Sequence, residues 1–65
     1  MNRADFMKNL AELLADMAPA EREEAIQYYN DYFDDAGAEN EQSVIASLGT
    51  PEQLAKTIKA GLFDG

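Results

Sequence analysis

Apolar residues return along this chain at spacings of three and four, and the pattern is cut by proline or glycine at Pro19, Gly37 and Gly49. That period belongs to helices that bury one face. In the first segment Phe6, Leu10, Leu13, Leu14 and Met17 share a stripe. Asn2 stands where an N-cap is expected, with Asp5 at N3, where negative charge suits the helix dipole. Pro19 ends this helix, because its ring excludes the preceding residue from the α region, and it also suits the first turn of the next.

The second helix is predicted from about Ala20 to Ala36. Ile26, Tyr29 and Phe33 form its apolar stripe, with Ala25, Tyr32 and Ala36 widening one flank. Glu21, Glu23 and Glu24 occupy its favourable first turn. Gly37 reads as the residue past the C-terminus that takes positive φ. Asp34 and Asp35 lie in the last turn, where the dipole disfavours carboxylates, so these two side chains are expected to serve some other contact. A third, short helix from about Asn40 to Leu48 turns Val44, Ile45 and Leu48 inward. After Gly49 the run Thr50-Pro51-Glu52-Gln53 opens a fourth helix, with Thr50 as N-cap, Pro51 at N1 and Gln53 closing a capping box. Leu54, Ala55, Ile58 and Leu62 form its inner face, and fraying is expected from Gly61 through Phe63-Asp64-Gly65. The predicted fold is all-α: a compact bundle of four short helices, two longer and two shorter, without strands. Phe6, Leu13, Phe33, Ile45 and Leu54 are expected to share one core.

Composition narrows the chemistry. At 65 residues the chain is a single domain, residues 1–65, and a core of this size is marginal without regular helix packing or self-association. Cysteine and histidine are both absent, which removes disulfides, thiolate metal sites and the commonest general base. Thirteen acidic residues against five basic ones give a net charge of −8. That opposes contact with phosphate backbones and anionic lipid, and favours basic partners. No apolar run follows Met1-Asn2-Arg3-Ala4-Asp5, so no secretory leader is expected, and no apolar run reaches the roughly 18 residues of a membrane span.

The acidic turn around Asp31, Asp34, Asp35, Glu39 and Glu41 invites a calcium reading, but the register fails. An EF-hand loop starting at Asp31 would put Phe33 at a ligand position and Ala36 where glycine is required. Neither Ser43 nor Ser47 follows an aspartate, as the acyl carrier serine does. Acid–base catalysis by paired carboxylates needs a pocket that separates their pKa values, and a core this small leaves no room for one. No catalytic residues, cofactor or metal are therefore expected. Mutual repulsion of Asp34, Asp35, Glu39 and Glu41 predicts stability rising as pH falls from about 7 toward about 5. Val44 to Ile58 can be read as a helix-turn-helix, although the would-be recognition helix carries only Lys56 and Lys59 for phosphates.

Adjacent helix positions differ by about 100°, so Tyr28 and Tyr32 cannot both share the face of Tyr29 and Phe33. At least one tyrosine ring is expected at the surface among carboxylates, a composition common at interfaces. Tyr28, Asp31, Tyr32, Asp34, Asp35 and Glu39 are thus the candidate partner-binding residues. Solvation or capping of the turn is the competing role.

The order Phe6, Leu10, Leu13, then Glu21-Arg22-Glu23-Glu24, then Tyr28 through Glu41, then Val44-Ile45 and Leu48-Gly49-Thr50-Pro51 resembles the bacterial DUF1700 family of HAAS modules. These are helical signalling domains associated with PadR-like transcription regulators. The resemblance covers nearly the whole chain. It implies a non-catalytic, cytoplasmic protein-interaction domain at the N-terminus of a longer protein, with membrane spans or other output regions beyond Gly65. It also implies a protein partner such as a PadR-like winged-helix regulator, with self-association as a further possibility. A free-standing, DNA-associated helical module is the alternative.

Overall fold

The computed structural model describes residues 1–61. Leu62 and the Phe63–Gly65 end lie outside the described residues. Four α-helices follow one another: α1 (Arg3–Leu13), α2 (Pro19–Ala36), α3 (Glu41–Leu48) and α4 (Pro51–Lys59), with a 3-10 turn at Ala38–Asn40 leading into α3. No strand occurs among the described residues.

Each boundary has a local cause. The Asn2 side chain accepts from the Asp5 amide at 2.8 Å and opens α1. α1 stops at Leu13, earlier than the proline alone predicts. The chain then tightens into i→i+3 turns, Ala15 N to Glu12 O at 3.2 Å and Met17 N to Leu14 O at 3.0 Å. Leu14, fully buried, and Met17 therefore reach the core from a turn rather than from a helix. Arg22 Nη1 donates to the exposed Ala15 carbonyl at 3.4 Å, satisfying one of the orphaned acceptors there. Pro19 is itself the first residue of α2.

Gly37 (φ 87°, ψ 156°) and Gly49 (φ 83°, ψ −147°) end α2 and α3 in a backbone region that glycine alone occupies cheaply. Asn40 Nδ2 donates to Ala36 O at 2.7 Å and caps the α2 end from the 3-10 turn. That turn takes Asn40 out of α3, which begins at Glu41. The Thr50 hydroxyl accepts from the Gln53 amide at 3.1 Å, and the Gln53 carboxamide returns to Thr50 N at 3.5 Å, completing the expected box.

The stripes meet in one core. Phe6, Leu10, Leu14, Ala25, Tyr29, Phe33, Val44, Leu54, Ala55 and Ile58 are buried, and Leu13, Ile26, Ile45 and Leu48 pack partly buried against them. Phe6 and Phe33 meet edge to face, with centroids 5.9 Å apart. α1 touches all three other helices and packs most extensively on α4. Tyr32 departs from the expected pattern: instead of widening the buried flank of α2, it is 42% exposed.

Candidate functional site

Tyr28, Asp31, Tyr32 and Asp35 recur on α2 at i, i+3, i+4 and i+7, so they fall within an arc of about 100° on one side of the helix. They line one shallow open depression, and Tyr32, Asp35 and Ala36 line a second beside it. Both tyrosines are exposed, Tyr28 at 39% and Tyr32 at 42%. The Tyr28 ring leans edge-on against buried Tyr29, with centroids 4.9 Å apart. The stripe is thereby braced against the core on one edge and open to solvent on the other. Gln27 Nε2 donates to Asp31 Oδ1 at 3.0 Å and fixes that carboxylate along the helix.

The six candidate residues do not all belong to this surface. Asp34 turns to the other flank of α2, where its Oδ1 is 2.9 Å from Arg3 Nη2. Glu39 is exposed in the 3-10 turn and lines neither depression. The structure thus brings four of the six together.

Arg3 is the residue that sequence reasoning missed. Its Nη2 also donates to Asn30 O at 3.2 Å and Asn30 Oδ1 at 3.3 Å, and its Nη1 lies 3.7 Å from Glu41 Oε2. Its guanidinium carbon stands 5.4 Å from the centroid of the Phe33 ring. One half-buried side chain therefore ties the start of α1 to the second half of α2 and the start of α3. A signal for it existed. A cation in the first turn of a helix is as badly placed against the dipole as Asp34 is in the last turn of another. Two misplaced charges of opposite sign are each other's partner. Arg3 thus faces two of the four carboxylates of this turn, Asp34 and Glu41.

On α4, Lys59 Nζ is 2.9 Å from Asp16 Oδ1, in the turn after α1. The Lys59 hydrogen bond and charge hold the Asp16 carboxyl below its usual value. Half of the sparse basic equipment of the would-be recognition helix is thereby committed within the fold. Among the described residues, no cluster of acidic side chains is arranged to hold a metal ion, and no helix is long and apolar enough to cross a membrane.

The family model for HAAS matches residues 5–57, from the first turn of α1 to the last turns of α4. The chain belongs to the HAAS family. No curated protein matches it, and no solved structure does. The HAAS match spans all four helices and the whole α2 stripe, but it begins after Arg3.

Proposed function

We propose that this HAAS domain is a non-catalytic protein-interaction module acting with a PadR-like transcription regulator on the cytoplasmic side of a membrane, to which the full-length protein is tethered. The observation that carries this reading is the α2 stripe, in which two exposed tyrosines are interleaved with two carboxylates along one shallow open depression. Such a face suits a basic protein surface, since amphipathic rings provide contact area and carboxylates provide orientation. The HAAS match supports the choice of a regulator as partner.

The test is a calorimetric titration of the domain against a PadR-like winged-helix regulator, using wild type and an Asp31→Ala, Asp35→Ala double variant. Asp34 is left intact because its loss would disturb the Arg3 contacts. Binding by wild type and clear weakening in the variant is the expected result. No binding by wild type removes the regulator as partner. Salt-sensitive retention on duplex DNA through Lys56 would instead support the DNA-associated reading.

A further inference from the structure

Asp31 and Asp35 pair with no lysine or arginine among the described residues. The three ion pairs there use Asp34, Glu41 and Asp16, and the other basic side chains are Lys8 on α1, Arg22, which donates to Ala15 O, and Lys56 on α4. The molecule already holds one arginine with an aromatic ring and an adjacent carboxylate of α2: Arg3 stands over Phe33 and pairs with Asp34. The stripe offers a similar set to the outside. The exposed Tyr32 ring lies one residue after Asp31 and three before Asp35.

From this we infer that the α2 stripe is an arginine-reading helix-docking face, whose occupant is a basic helix presenting two arginines at i and i+4. The inference rests on the interaction-module reading and adds the recognition chemistry to it. Asp31 and Asp35 are themselves i and i+4, so their Cβ atoms are about 5–6 Å apart, the spacing of two side chains one turn apart on a partner helix. A guanidinium presents a planar fork to each carboxylate and can lie on the Tyr32 ring at the same time, whereas an ammonium acts as a strongly hydrated point charge. A second copy of this chain does not fit, because apposing two such stripes would bring carboxylates together on molecules that each carry a net charge of −8.

The probe is a set of alanine-based helical peptides carrying two arginines at i, i+4, two arginines at i, i+2, or two lysines at i, i+4. Each is titrated against the 15N-labelled domain and followed by amide shifts. The i, i+4 arginine peptide should bind most tightly, with shifts centred on Tyr28–Ala36. Tyr32→Ala should weaken it about two- to fivefold, and Tyr32→Phe should restore it. Equal affinity for the three peptides would reduce the effect to bulk charge and overturn the inference. So would shifts centred instead on Glu21 and Glu24, which line a separate depression with Met17 and Ile58. If the peptide binds the stripe while the regulator does not bind at all, the choice of regulator fails and the docking face stands. If the regulator binds but shifts another face, the docking face fails and the interaction module stands.

Discussion

Arg3 shows how one side chain can decide geometry that no stripe encodes. It gives hydrogen bonds to Asn30, an ion pair to Asp34 and a ring contact to Phe33 from a site only partly open to water. Arg3→Ala should cost about 1–3 kcal/mol, since acceptors on α2 lose a charged donor. Arg3→Lys should recover only part, because an ammonium lacks the fork. Asp34 is mostly exposed, so the Arg3–Asp34 coupling in a double-mutant cycle should be no more than about 1 kcal/mol. Urea unfolding of the four variants checks both numbers. An Arg3→Ala cost below about 0.5 kcal/mol would mean that the hydrogen bonds to Asn30 are replaced by water without loss.

At the scale of elements, Gly37 and Gly49 separate successive helices in conformations that other residues resist, and Thr50 and Gln53 form a complete capping box. Thr50→Ala should lower stability by about 0.5–2 kcal/mol through loss of the Gln53 amide's acceptor. Gly37→Ala meets nothing within 4 Å, so its cost, about 1–3 kcal/mol, is backbone strain alone. Gly49→Ala carries the same strain, and its new Cβ would also stand 2.6 Å from Gln53 Oε1. The Gln53 carboxamide can swing away, giving up only its long contact to Thr50 N, so the extra cost stays below about 1 kcal/mol. Equilibrium denaturation of the three variants orders them, and Gly49→Ala less costly than Gly37→Ala would contradict the contact with Gln53.

For the whole molecule, a single small core concentrates risk. Phe33 is fully buried, edge to face with Phe6 and under Arg3. Phe33→Ala should cost about 3–5 kcal/mol, against a total of about 3–10 kcal/mol for a chain of this length. Urea unfolding followed by far-UV circular dichroism should show the midpoint falling by the amount this loss predicts, and a loss below about 1.5 kcal/mol would contradict the full burial of Phe33. Acid stability is linked to the Asp16–Lys59 contact. The lowered folded value of Asp16 means that the pair's contribution is fully present above the usual carboxyl value of 3.8 and is lost as pH falls through the folded value. The Tm gap between wild type and Asp16→Asn should accordingly be constant near neutrality and close below about pH 3.8. A gap that persists at lower pH would show that Asp16 acts through something other than its charge.

The sequence by itself determined four helices, their stops and most of the core, because periodicity, proline, glycine and capping residues act within a few residues of where they stand. Asn2, Thr50 and the Phe6, Phe33 and Leu54 positions were legible for that reason. So was an exposed tyrosine on α2, since adjacent positions cannot share a face. The tertiary structure alone decided which charges meet. Arg3 reaches Asn30 and Asp34 across most of the first half of the chain, and Lys59 reaches back to Asp16. It also sorted the acidic aromatic run, giving Asp34 to the fold and leaving Tyr28, Asp31, Tyr32 and Asp35 on a common open face. Local physics marked Asp34 as misplaced but could not name its partner, because an ion pair depends on where two helices cross, and the crossing is set by the packing of the whole core.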